Sequence, residues 1–183
     1  GLPDGVINLI YCSGPTASDV IFSHKEFAGI HFTGSTEVFN NIWATIVKNI
    51  STYRSYPRIV GETGGKDYIF ADPTASPKSV ATAMVRGAFE YQGQKCSAAS
   101  RAYIPSNIWD EVKAYMEADL SEIRTGGIED FRNFVNAVID EASFDKLARA
   151  IDAAKASSDA DVVLGGGHDK SKGYFIQPTV IQA

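Results

Sequence analysis

Apolar residues follow two rhythms along this chain. Short unbroken apolar runs of strand length alternate with longer segments whose apolar residues recur every three or four positions. The short runs of the first third are VINLIYC (Val6 to Cys12), GIHFTG (Gly29 to Gly34) and PRIVGET (Pro57 to Thr63). Between the first two lies GPTASDVIFSH, which suits a turn and a short helix. Between the second and third lies STEVFNNIWATIVKNIS, with apolar residues at Val38, Phe39, Ile42, Trp43, Ile46, Val47 and Ile50. That spacing predicts a helix stripe, and Ser35 or Thr36 can cap its start. Strand, helix, strand, helix, strand predicts a parallel sheet, because parallel neighbours need crossover connections.

The same alternation continues. A helix is predicted to open at Ser76 with Pro77 as its first residue, to bury Val80, Ala81, Met84, Val85, Ala88 and Phe89, and to end at Gly93. SRAYIP follows as a strand and NIWDEVKAYMEADLSEIR as a helix. A further helix lies within FVNAVIDEASFDKLARAIDAAKASS, with its cap expected near Ser143. DVVLGGG and YFIQPTVIQ read as strands joined through the turn GGGHDKSKG. Trp43, Trp109 and Phe144 fall on helix stripes and are expected in the core.

Composition narrows the class without naming a function. With 183 residues, 44% hydrophobic and 21% charged, the chain suits a soluble α/β protein. Its 17 basic and 22 acidic residues leave a net charge of −5, with no basic stripe, so nucleic acid is not an expected partner. No apolar run approaches the ~18 residues of a membrane span. Cys12 and Cys96 form no CxxC pair and are expected as free thiols. The three histidines lack metal-ligand spacing, and no metal is expected. The chain has no initiator methionine and stops at a strand-like run, so a fragment of a longer protein is expected.

Three stretches carry candidate chemistry. In FEYQGQKCSAASR, Cys96 follows a helix in a polar, glycine-containing loop, with Lys95 beside it to favour a thiolate. A lone cysteine is more often an inert small hydrophobe. In GETGGKD, Glu62 ends a predicted parallel strand, the end at which open α/β sheets bind ligands. It is either a surface charge or a general base. The pattern is no phosphate loop, because Val60 and Asp67 stand where Gly and Ser or Thr are required. In FTGSTEV a strand meets a helix N-terminus at a glycine, an arrangement suited to anions, although most helices begin with Ser or Thr.

Taken in order, FTGSTE, ExGGK and GQxC resemble the aldehyde dehydrogenase superfamily, and the resemblance runs over the whole chain. GETGGKD in place of the commoner LELGGK, Lys95 before the cysteine, and the stretches TYRSYPRIVGETGGK and FVNAVIDEASFDK are similar to the branch that oxidises glutamate γ-semialdehyde to glutamate in proline catabolism. The resemblance implies part of a Rossmann-type parallel-sheet cofactor domain over residues 1–64. The first part of an α/β catalytic domain would follow over 65–183. It further implies NAD as cofactor, Cys96 as nucleophile and Glu62 as base for thioester hydrolysis. Gly34, Ser35, Thr36, Glu37 and Val38 would lie along the cofactor, and Lys95 and Ser97 would face a small aldehyde substrate. A homo-oligomer is implied for the full-length protein, in the mitochondrial matrix of a eukaryote or otherwise in the cytoplasm. The alternatives are a dehydrogenase for a different aldehyde and a non-catalytic dinucleotide-binding relative.

Overall fold

In the computed structural model, which describes residues 1–183, the first strand–helix–strand repeat forms where the spacing predicts it. Strand β1 (Gly29–Gly34) and strand β2 (Arg58–Thr63) pair in parallel, with Gly29 opposite Arg58 and Thr33 opposite Glu62. Helix α2 (Thr36–Lys48) makes the crossover, and the Ser35 side chain caps it by accepting the Val38 N–H at 3.2 Å. Helix α1 (Gly14–Ile21) precedes β1. The core here is Phe22, Phe27, Ile42, Ile46 and Tyr53, against which Ile30, Phe32 and Ile59 pack. The Phe22 carbonyl accepts from Tyr53 Oη at 2.7 Å and from Asn49 Nδ2 at 3.0 Å, tying α1 to the end of α2.

Two expectations fail in this part. Val6 to Cys12 forms no strand. A strand exists only when a neighbour supplies its ladder hydrogen bonds, and β1 and β2 pair only with each other. Ile7, Leu9, Ile10 and Tyr11 are each at least 75% exposed. Trp43 is not core either. It is half exposed and meets Phe39 edge-on at 5.6 Å, while Ile42 and Ile46 alone of the α2 stripe are buried.

The chain divides into two compact units, Gly1–Gly64 and Gly65–Ala183. In the second, β3 (Asp67–Phe70) and β4 (Ala99–Tyr103) again pair in parallel. Helices α3 (Pro77–Phe89) and α4 (Ser106–Glu122) pack together. Val80, Ala81, Met84 and Val85 from α3 meet Ile108, Val112 and Met116 from α4, and Ala81 and Val112 are fully buried. The α4 spacing of four residues between contacts places one side chain per turn on this seam. Trp109 packs beside it and donates through Nε1 to Gln182 Oε1 at 3.0 Å.

Short parallel strands β5 (Arg124–Thr125) and β6 (Asn133–Val135) follow. Helix α5 (Glu141–Ala156) is capped by Asp140, not Ser143; the Asp140 carboxylate accepts the Ser143 N–H at 2.7 Å. The residue with the free carboxylate sits one step outside the helix, and Ser143 supplies only the donor. Strands β7 (Asp161–Leu164) and β10 (Val180–Gln182) pair antiparallel. Strands β8 (His168–Asp169) and β9 (Phe175–Ile176) form a hairpin around the glycine- and lysine-rich turn. Phe144, on α5, is buried with Val138 and Ala148 under Tyr174 and Ile176. The chain is thus α/β, with three parallel and two antiparallel strand pairs.

Candidate active site

Helix α3 stops at Phe89, four residues before the expected end. Glu90 turns to φ −56°, ψ 133°, and the backbone then adopts left-handed geometry at Tyr91 (54°, 37°) and Gln92 (56°, 29°), followed by Gly93 at φ +67°. Only Gly93 is at ease there. A Cβ on it would also lie 2.8 Å from the Ala88 carbonyl oxygen. The two non-glycine residues cost about 1–2 kcal/mol each in this region. Two long-range hydrogen bonds offset a similar amount, about 0.5–1.5 kcal/mol apiece. Gln92 Nε2 donates to the Ala137 carbonyl at 3.3 Å, and Gln94 Oε1 accepts the Ile139 N–H at 2.9 Å. Nothing in the sequence singled out this turn beyond the glycine in EYQGQ.

The turn delivers Lys95, Cys96 and Ser97 as consecutive exposed residues. The Cys96 thiol is free and exposed, so packing gives no reason for a cysteine here. The Ala98 N–H donates to the Lys95 carbonyl at 3.1 Å and closes the loop before β4. A Cβ on Gly65 would stand 2.7 Å from the Cys96 carbonyl oxygen, so the loop backbone runs directly against that glycine. Lys95 Nζ lies 3.1 Å from Glu90 Oε2, whose other oxygen accepts from Arg86 at 3.2 Å. The hydrogen bond from Lys95, with its charge and that of Arg86, holds the Glu90 carboxyl below its usual range. A free thiol with this access can add to a carbonyl carbon.

The other candidates lie in the first unit. Gly34, the last residue of β1, is followed by the Ser35 cap and by Thr36 and Glu37 in the first turn of α2. The first N–H groups of a helix have no acceptor within it, and Thr36 and Glu37 are exposed residues. This end of the parallel pair also holds Glu62, exposed and in register with Thr33, one step before the Gly34–Thr63 pair. The strand register therefore brings Glu62 to the same edge as the Gly34–Val38 segment. Cys96, Lys95 and Ser97 belong to the second unit.

Concavity does not mark these residues. A cleft of about 710 Å³ in the first unit is lined by α1, β1 and α2, and of the candidates only Val38 reaches it. A cleft of about 790 Å³ in the second unit is lined by Met84, Ala99, Trp109 and Val180 among others, and Cys96 is not part of its lining. No group of three or more His, Cys, Asp and Glu side chains is arranged to hold a metal ion. No helix is long and apolar enough to cross a membrane.

Comparison with known proteins bears on both halves. Residues 1–183 match the model of the aldehyde dehydrogenase family. The mitochondrial Δ1-pyrroline-5-carboxylate dehydrogenase of Dictyostelium discoideum is 46% identical over 100% of this chain and 33% of its own length. That of Emericella nidulans is 46% identical over 98% of this chain and 32% of its own. The chain thus spans about a third of the length of the curated relatives it matches. Among solved structures, the Δ-pyrroline-5-carboxylate dehydrogenase of Mycobacterium tuberculosis bound with NAD superposes with a TM-score of 0.94. It is 48% identical, covering 99% of this chain and 34% of that one.

Proposed function

Because this chain belongs to the aldehyde dehydrogenase family, we propose that the full-length protein oxidises glutamate γ-semialdehyde, the open form of Δ1-pyrroline-5-carboxylate, to glutamate. The observation that carries this reading is the free, exposed Cys96 thiol on a loop held in a strained turn. The near-complete coverage of this chain by Δ1-pyrroline-5-carboxylate dehydrogenases supports the choice of substrate.

In this reading Gly1–Gly64 is the second part of a cofactor domain, and Gly65–Ala183 begins the catalytic domain. Cys96 attacks the aldehyde carbon as a thiolate; the C–S bond forms, and the carbonyl electron pair moves to oxygen. NAD, when bound, supplies the hydride acceptor that takes the resulting hemithioacetal to a thioester. Glu62 then removes a proton from water as it attacks the thioester, and the C–S bond breaks to return the thiolate. Gly34, Ser35, Thr36, Glu37 and Val38 would hold the cofactor. Their fit rests on the strand end at Gly34 and the uncommitted N–H groups opening α2, which suit a pyrophosphate. Lys95 and Ser97, on either side of the thiol, would face the charged end of the substrate. A homo-oligomer is part of the proposal, as is a place in the mitochondrial matrix if the source is eukaryotic and in the cytoplasm otherwise.

Replacing the thiol tests it. Cys96→Ala in the full-length protein should abolish turnover and leave NAD binding intact; substantial residual dehydrogenase activity would remove Cys96 from the chemistry. Glu62→Gln should slow thioester hydrolysis about 10²–10⁴-fold while the first hydride transfer survives. Rapid mixing would then show a burst of NADH before slow turnover. Rates with glutamate γ-semialdehyde should exceed those with simple aliphatic aldehydes; the reverse order would reassign the substrate.

A further inference from the structure

The left-handed turn before Cys96 leans on a segment 45 residues away in sequence. Around Val138 the backbone bonds alternate as they do along a strand. The Val138 N–H donates to the Tyr174 carbonyl at 2.9 Å on one edge. On the other edge the Ala137 carbonyl and the Ile139 N–H take the side chains of Gln92 and Gln94. Two glutamines two positions apart thus read two backbone groups two positions apart. Their polarity is fixed by the partners: Gln92 must present its NH₂ to a carbonyl, and Gln94 its oxygen to an N–H.

The segment is held through Val138, beside the exposed Ile139. Val138 is 4% exposed and packs with Phe144, Ala148 and Tyr174. Asn136 Nδ2 donates to the Gly126 carbonyl at 2.9 Å. Arg86, on the last turn of α3, lies over the Phe134 ring at 5.6 Å. Beyond those two glutamines the Cys96 loop has local ties: the Gln94 N–H donates to the Tyr91 carbonyl, the Ala98 N–H donates to the Lys95 carbonyl, and Lys95 pairs with Glu90.

We propose that Gln94 and Gln92 are positioning residues for the Cys96 thiol, holding the left-handed turn that launches it against the Ala137–Ile139 backbone. The proposal rests on the reading of Cys96 as nucleophile. It assigns work to the side-chain amides that the composition of the loop does not require.

Crossed substitutions in the full-length protein test it. Gln94→Met removes the acceptor at similar size and should lower kcat about 10- to 100-fold with little change in KM, since misplacing a reacting group by about 1 Å costs that much. Gln94→Glu keeps an acceptor for Ile139 and should restore most of the rate. Gln92→Glu turns a carboxylate on the Ala137 carbonyl and should behave like Gln94→Met, with iodoacetamide labelling of Cys96 changed in step. Parental kcat in Gln94→Met, or equal loss in Gln94→Met and Gln94→Glu, would overturn the proposal. So would a Gln94→Met protein that fails to fold, because the amide would then serve stability rather than position. Cys96→Ala in the same panel separates the two readings. If it is inactive while Gln94→Met turns over normally, only the positioning role falls. If it remains active, the nucleophile falls with it.

Discussion

Glu90 stands between two cations, and one of them is the neighbour of Cys96. Lys95 and Arg86 both hold its carboxyl below the usual range. A depressed folded value means that the pair's contribution is present above the ordinary carboxylate value of 4.5 and is lost as pH falls through the lower folded value. Exposed pairs contribute little, so the effect should be local. Glu90→Gln should alter the rate at which Cys96 reacts with 2,2′-dithiodipyridine, which modifies thiols in acid as well as at pH 7, and that difference should vanish as pH falls through the folded Glu90 value; the same difference at both pH values would detach Glu90 from the loop. Cys12 differs from expectation in this chain. The run it ends is expected to be a strand, which would pack its apolar side chains; no strand forms and its thiol is exposed. Iodoacetamide should therefore label Cys12 as well as Cys96 in the isolated chain, and protection of Cys12 would contradict the structure. Lys95 was legible as the neighbour of a candidate thiol. Its partner Glu90 was not, because the fold of α3 into a left-handed turn brings the two together.

The helices were legible where their stripes were regular and their caps sat next to the stripe. Ser35 before α2 and Pro77 opening α3 are such cases. The α5 cap lies three positions before Ser143, since Asp140 and Ser143 both suit a cap and only the backbone decides which accepts and which donates. Accepting the Ser143 N–H lowers the Asp140 carboxyl from its usual range. Its support for α5 is thus present above the usual carboxylate range and fades as pH falls through the folded value. Asp140→Ala should lower the thermal midpoint at neutral pH, and the gap from the parent should close in strong acid. A pH-independent gap would mean the carboxylate is not the cap. On the α3–α4 seam, Met116 is 1% exposed. Met116→Ala should cost about 2–5 kcal/mol in denaturant unfolding, and a loss below 1 kcal/mol would show that the seam refills.

Across the whole chain large apolar residues are exposed at many points, most densely at its start. Leu2, Val6, Ile7, Leu9, Ile10 and Tyr11 are all more than half exposed. Contiguous apolar surface of this kind drives association. The 183-residue chain expressed alone should self-associate in light scattering, and Ile10→Lys with Tyr11→Lys should reduce it; a monodisperse monomer would contradict the exposure. The sequence by itself determined the α/β alternation, the parallel pairing of β1 with β2, the helix stripes and the three candidate motifs. Those signals are local: periodicity, caps and glycine at a strand end are all written within about fifteen residues. Only the tertiary structure decided that Val6 to Cys12 is no strand and that Trp43 faces water. It also decided that α3 ends at Phe89 and that Gln92 and Gln94 hold a segment 45 residues on. Each of these depends on what lies beside a segment in space. A ladder needs a neighbour, burial needs a cover, and a left-handed turn needs distant partners to hold it.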